Sequence, residues 1–200
     1  MEDNLSVMRQ QIRQSVRQLR QQLSPEQQQL AAKKIVQHTL SHPKIAQAQH
    51  IALFLSFDGE IHTQPLIDAL WQQGKKVYLP VLHPFSPHHL LFLNYAPTTQ
   101  LVKNRFNIDE PPLDVTQVRP INQLDVMMIP LVAFDEQGQR LGMGGGFYDR
   151  TLANWQQKGF YPIGLAHDCQ RVTALPVAHW DIPLPEIITP QKYGTGNPVP

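Results

Sequence analysis

"LDVMMIPLVAFDEQGQRLGMGGGFYDR", residues 124–150, decides the fold reading. Its first eleven residues, 124–134, are the most apolar run in the chain, and such a run suits a central strand buried on both faces. "DEQGQ" then reads as a turn, and Gly142, Gly144, Gly145 and Gly146 crowd into five positions. "FYDRTLANWQQKG" (147–159) follows as a helix that stops at Gly159. Loops at that end of a strand are where open α/β sheets bind ligands.

The same alternation runs outward from this stretch. "YPIGLA" (161–166) and "EIITP" (186–190) read as strands on the C-terminal side. On the N-terminal side, "HIALFLSF" (50–57), "KKVYLPVL" (75–82) and "LLFLNY" (90–95) read as strands, with a helix from "TQPLIDALWQQG" (63–74) among them. Strands alternating with helices predict an α/β fold around a mainly parallel sheet flanked by helices. Two further helices are expected near the start. In residues 5–23, Leu5, Met8, Ile12, Val16, Leu19 and Leu23 recur by threes and fours, as one helix face does. Arg9, Arg13, Arg17 and Arg20 form a basic stripe beside it. "SPEQ" (24–27) has the cap, the first-turn proline and the Gln of a capping box, starting a helix that runs to about Leu40. One domain over 1–200 is expected, with this helical segment (about 5–40) at its start.

Composition narrows the function classes. A hydrophobic fraction of 42% and a charged fraction of 16% describe a globular chain rather than a disordered one. A formal net charge of +1 supplies no field for nucleic acid or an anionic membrane. With one cysteine, Cys169, no internal disulfide framework or multi-cysteine zinc site can form. No signal-peptide-like or membrane-length apolar run is present, so a cytoplasmic protein is expected.

Bare backbone N–H groups ahead of a helix make an anion site, and phosphate is the natural guest. Two familiar phosphate loops are excluded: no lysine stands in the segment for a Walker loop, and the sixth position from Gly142 is Phe147, not the glycine of a dinucleotide fingerprint. A flexible loop or close helix–strand packing remains the alternative. Asp149, on the first helical turn, is placed to hold Mg²⁺, although acids also favour helix starts for their own sake. Arginine forks such as those of the basic stripe bind phosphate oxygens when an anion is near. Glu60, just past a strand end, can project into a pocket. His83, His88 and His89 of "HPFSPHHL" lack an acid or thiolate at ligand spacing and read as a surface loop.

Taken in order, R-x-x-I-R at Arg9–Arg13, "FLSFDGEIHTQPLI" from Phe54, "YLPVLHPFS" from Tyr78, "PLVAFDEQGQRLGMGGGFYDR" from Pro130 and "WDIPLPEIITP" from Trp180 resemble the 5-formyltetrahydrofolate cyclo-ligase family, also called methenyltetrahydrofolate synthetase. The resemblance spans nearly the whole chain. It implies a fold like that of the sugar-phosphate isomerases and coenzyme A transferases. It also implies a ligase of folate one-carbon metabolism that uses ATP and Mg²⁺ to convert 5-formyltetrahydrofolate to 5,10-methenyltetrahydrofolate, with ADP and phosphate released. On the resemblance, ATP would meet Arg9, Arg13, Arg140, Gly142, Met143, Gly144, Gly145, Gly146, Phe147 and Tyr148. Tyr148 and Arg13 would act in catalysis and Asp149 would hold the metal. Phe54, Leu55, Glu60 and Phe106 would receive the folate.

The chain also departs from the family pattern. Met143 and Gly145 stand where some members carry arginine and lysine, Phe147 replaces a frequent tyrosine, and Arg9 replaces an opening lysine. Pro185 stands where many members have an acid, with Asp181 and Glu186 nearby. Three other readings predict different behaviour. A sugar-phosphate isomerase with Glu60 as base would turn over without nucleotide. A folate- or nucleotide-binding module would bind without product. A nucleic-acid binder using the arginine stripe would show steep salt dependence.

Overall fold

The structure, a computed structural model, describes residues 2–191; Met1 and residues 192–200 of the expected 1–200 domain lie outside the described residues. The chain opens with α1 (Glu2–Gln21), α2 (Pro25–Leu40) and the short α3 (Pro43–Gln47). The start of α2 is fixed by the capping box: Ser24 Oγ accepts from Gln27 N–H at 3.1 Å and Gln27 Oε1 accepts from Ser24 N–H at 2.8 Å. β1 (His50–Ala52), α4 (Gln64–Gln72), β2 (Lys76–Leu82) and β3 (Leu90–Tyr95) follow, then a small antiparallel hairpin of β4 (Val102–Lys103) and β5 (Asp109–Glu110). β6 (Val126–Ile129) leads to a second small hairpin, β7 (Ala133–Phe134) and β8 (Arg140–Leu141), and the glycine loop enters α5 (Phe147–Leu152). β9 (Tyr161–Leu165) and β10 (Glu186–Ile188) complete a six-stranded sheet of order β10-β9-β6-β1-β2-β3, parallel except for the antiparallel edge strand β3.

Side-chain alternation divides the core in two, as expected of strands covered on both faces. Ile51, Val77, Leu79, Val126 and Met128 pack with Ile35 of α2 and Leu66, Ile67 and Leu70 of α4. Ala52, Tyr78, Met127 and Ile129 pack on the opposite side with Leu152 of α5, Trp155 and Phe160. The chain leaves β1 toward one face through α4 and leaves β6 toward the other through α5. A crevice therefore opens at the carboxyl ends of these adjacent strands, the place where open α/β sheets bind ligands.

Several expected elements are a residue or two shorter than read, among them 63–74 and 186–190, and three are cut back further. The strand expected over 124–134 ends at Ile129 because Pro130 has no N–H to continue the ladder, and Ala133–Phe134 pair instead with Arg140–Leu141. The helix expected over 147–159 ends at Leu152, with Asn154 in the left-handed region (φ 56°) and a 3₁₀ turn at Trp155–Gln157. The strand expected over 50–57 pairs only to Ala52, since the chain must turn at Asp58 and Gly59, both with positive φ.

The burial of α1 also differs in phase. Met8 and Leu19 of the apolar stripe are 44% and 49% exposed, whereas Arg20 is 1% exposed and Val16 is buried. The covered face runs through Arg9, Arg13, Val16 and Arg20, so the basic stripe lies within the contact face rather than beside it. Val16 and Ile12 pack on Val132, Ala133 and Leu141 of the β7–β8 hairpin. Arg20 Nε donates to Asp58 O at 2.8 Å and Arg20 Nη2 to Asp58 Oδ2 at 3.0 Å. A guanidinium so paired can be buried at little net cost, which the apolar period alone does not show.

Candidate active site

A cavity of about 1350 Å³ occupies the crevice, beyond the roughly 300–1,000 Å³ usual for one small ligand. Every residue that the resemblance implies for the site lines it. Arg9 and Arg13 enter from α1; Phe54, Leu55 and Glu60 come from the segment after β1; and Phe106 comes from the β4–β5 turn. Arg140 enters from β8, and Gly142, Met143, Gly144, Gly145, Gly146, Phe147, Tyr148 and Asp149 come from the loop and the first turn of α5.

The loop needs its glycines. Gly144 and Gly146 have φ of 101° and 71°, a region that side chains strain to adopt. Among the described residues, the N–H groups of Gly144, Gly145 and Gly146 donate to no protein acceptor. With only six residues, α5 adds little dipole, so the positive character at this end of the cavity comes from these free donors and the arginines. Arg13 Nε donates to Gly142 O at 2.7 Å, and the Arg13 guanidinium lies against Gly144. Burial, and after it the neighbouring Arg9, lower the pKa of Arg13.

Arg9 is held from the other side. Its Nη2 donates to the Asp181 carboxylate and, at 3.3 Å, to Pro176 O, while the guanidinium sits 5.9 Å from the Trp180 ring centroid. Arg17 and Arg20 do not join the site; both bind Asp58, and so anchor the turn that carries Glu60. Glu60 Oε1 accepts from Phe57 N–H at 2.9 Å. Burial outweighs the nearby Arg20 and pushes the Glu60 carboxyl up to about 7, leaving it near half-protonated at neutral pH.

Tyr148 is enclosed, with its hydroxyl unpartnered among the described residues and its ring 5.5 Å from Arg140 Cζ. Burial raises its pKa and keeps the phenol a neutral donor. Phe106, 50% exposed, meets the edge of Phe147 at 6.5 Å. Asn104 Oδ1 accepts from the N–H groups of Phe106 and Ile108, and this turn presents Phe106.

Free loop N–H groups and arginines at one end, with apolar walls and the Glu60 carboxyl at the other, fit what one comparison finds: the sequence profile of the 5-formyltetrahydrofolate cyclo-ligase family covers residues 5–190. The chain belongs to the 5-formyltetrahydrofolate cyclo-ligase family. A 5-formyltetrahydrofolate cyclo-ligase of Escherichia coli (strain K12) is 59% identical over 177 residues, 88% of this chain and 97% of that protein. One from Haemophilus influenzae is 56% identical over 180 residues, 90% and 96% of the two chains. The NMR structure of Aquifex aeolicus 5,10-methenyltetrahydrofolate synthetase matches with a TM-score of 0.79 at 27% identity, covering 92% of this chain and 91% of that one.

Two features of this cyclo-ligase cavity were not read as functional from the sequence. His88 lies exposed on the turn after β2, as expected, and it also lines the cavity, with Nδ1 2.9 Å from Gly145 O. The available signal was position, because the turn after β2 opens at the same end of the sheet as the glycine loop. Asp181 was noted only as an acid near Pro185, and its grip on Arg9 depends on a fold contact across 172 positions. A resident metal cage does not fit here: among the described residues no group of three or more His, Cys, Asp or Glu could hold an ion. Asp149 lies on the cavity wall beside the loop, 3.3 Å from Arg140 Nη1. It fits a cation that arrives already held by a triphosphate, as Mg²⁺ commonly does. No helix among the described residues is long and apolar enough to cross a membrane.

Proposed function

We propose that the cavity seats ATP and 5-formyltetrahydrofolate together, with the triphosphate against Gly142–Gly146 and the pterin between Phe54, Leu55 and Phe106. The chain is an ATP-dependent cyclo-ligase, which closes 5-formyltetrahydrofolate to 5,10-methenyltetrahydrofolate. What carries the seating is the pairing, in one cavity roomy enough for two ligands, of free loop amides beside Arg13 with an apolar pocket that ends at Glu60.

The chemistry asks for position and charge more than for a protein nucleophile. A formyl amide oxygen leaves poorly. It takes the terminal phosphoryl of ATP, breaking the bond to ADP, and the neighbouring amine then adds to the activated formyl carbon. The amine proton departs and the carbon–oxygen bond breaks as phosphate leaves. Arg9, Arg13 and the loop amides offset charge on the transferring group. Arg140 adds a buried cation behind the loop, and the neutral Tyr148 hydroxyl is a free donor for an oxygen at the reacting centre. Glu60, near half-protonated, can accept from or donate to the pterin edge. Asp149 would help hold the Mg²⁺ that comes with ATP, which would supply charge neutralisation to the phosphates. The reading extends to small molecules rather than nucleic acid as partners, and to a cytoplasmic setting.

The test is the absorbance of the methenyl product with purified protein, 5-formyltetrahydrofolate and Mg²⁺, with and without ATP, for the wild type and Arg13→Ala. An ATP-dependent rise that Arg13→Ala cuts by about tenfold or more supports the seating. An unaltered Arg13→Ala rate at low ATP removes the loop from the phosphate site.

A further inference from the structure

We propose that His88 is a positioning residue that sets the plane of the Gly145–Gly146 peptide and so aims the Gly146 N–H at the triphosphate. The inference rests on reading the glycine loop as the phosphate site and adds the residue that shapes it.

His88 sits on the turn 83–89 between β2 and β3, a turn tied to itself. His83 N–H donates to His89 O at 3.1 Å, His89 N–H to Ser86 O at 3.3 Å, and the N–H groups of Phe85 and Ser86 both donate to His83 Nδ1. Within it His88 takes a φ of 64°, left-handed for a residue that carries a side chain. The result is a ring held over the loop, 5.6 Å from Phe147 by centroid, with Nδ1 2.9 Å from Gly145 O. A carbonyl oxygen only accepts, so Nδ1 carries the hydrogen and donates it.

The Gly145 carbonyl and the Gly146 N–H belong to one peptide unit. No cis bond occurs among the described residues, so the two groups point in opposite directions. Fixing one therefore fixes the other. Glycine on both sides leaves this plane almost unhindered sterically, and a flip would turn a carbonyl oxygen toward the phosphates and the N–H away. On the far side Gly146 O accepts from Arg150 N–H at 3.2 Å, which anchors the next unit but not this one. Among the described residues His88 is the group that bonds Gly145 O, and the Gly146 N–H donates to no protein acceptor. A donor held in place and left free is what an arriving anion needs.

Three variants of the full chain separate positioning from direct contact. His88→Asn keeps a donor close to the Nδ1 position and tolerates left-handed backbone. His88→Gln places its amide nearer the Nε2 position. His88→Ala removes both. Calorimetry with a non-hydrolysable ATP analogue and Mg²⁺ should show His88→Ala weakened by about tenfold and His88→Asn within about threefold of wild type, with His88→Gln resembling His88→Ala. The ¹⁵N-resolved amide signal of Gly146 should move when the analogue binds the wild type and stay still in His88→Ala. At saturating ATP the turnover loss should be smaller than the rise in KM for ATP. Wild-type affinity in His88→Ala, or rescue by His88→Gln and not His88→Asn, overturns the proposal. Arg13→Ala is the control: if it too binds the analogue normally, the phosphate-site reading itself fails. If it binds weakly while His88→Ala does not, only the role of His88 fails.

Discussion

Arg140 Nη1 lies 3.3 Å from Asp149 Oδ1, so the acid nearest the glycine loop already faces a protein cation. The Arg140 side chain is 7% exposed, and its Nε also donates to Pro130 O at 3.0 Å. The pair holds a buried positive charge behind the loop while leaving the more exposed carboxylate open to the cavity. Asp149→Asn should therefore bind metal-free ATP at least as well as wild type but need about tenfold more Mg²⁺ for half-maximal turnover. A Mg²⁺ titration of initial rates decides it; an unchanged midpoint would mean that Asp149 does not meet the cation.

Glu60 predicts a pH dependence of stability in the ligand-free protein. Its native-state value of about 7 lies above the ordinary 4.5, so the native state keeps the proton longer than the unfolded chain does. Between those values the unfolded state binds fewer protons. Stability from this group is thus complete below about pH 4.5, falls as pH rises through about 7, and is level beyond; the change is about 3 kcal/mol at most. Urea unfolding of wild type and Glu60→Gln across pH 4.5–8 isolates the group, because the difference between the two proteins should carry this slope. Parallel profiles would refute it.

Gly138 is a stability site outside the cavity. Its φ is 79°, and a Cβ there would lie 2.2 Å from Leu184 O, a backbone atom that cannot swing aside. Leu184 N–H donates to Gly138 O at 2.8 Å, so this contact fastens the β7–β8 hairpin to the irregular segment just before β10. Gly138→Ala should cost at least about 2 kcal/mol and lower Tm by roughly 4–8 °C, as read by calorimetry. Gly74→Ala, at a φ of 76° but with open space around its Cβ, should cost less.

Arg9 and Asp181 should be energetically coupled. Their side chains are 13% and 9% exposed, and Asp181 Oδ2 also accepts from Ala178 N–H at 2.7 Å, so the pair ties residues 176–182 to α1. A double-mutant cycle of Arg9→Ala and Asp181→Ala by urea unfolding should give about 1–2 kcal/mol of interaction. Additive losses would show that the contact does not fasten the segment.

Much of this was legible beforehand because it is written in short-range signals. The capping box at Ser24–Gln27, the strand at Leu90–Tyr95 and the glycines at 142–146 depend on neighbours in sequence, and each forms where it was read. The failures share a cause. Pro130 was absorbed into an apolar run although it ends the ladder, and Asn154 was absorbed into a helix that it breaks. Met8 and Leu19 were read as buried because hydrophobic period cannot register that Asp58, 38 positions beyond Arg20, would accept an arginine inside.

Local pattern alone is enough for the α/β class, the family, and the residue types that gather at the carboxyl end of the sheet. Those follow from periodicity, turn chemistry and motif order, which are properties of neighbouring residues. Which face of α1 meets the body, the match of Asp149 with Arg140, and the place of His88 over Gly145 emerge only in the folded chain. Ion pairs and peptide planes are set by groups far apart in the chain, brought within hydrogen-bond reach when apolar burial closes the fold around them.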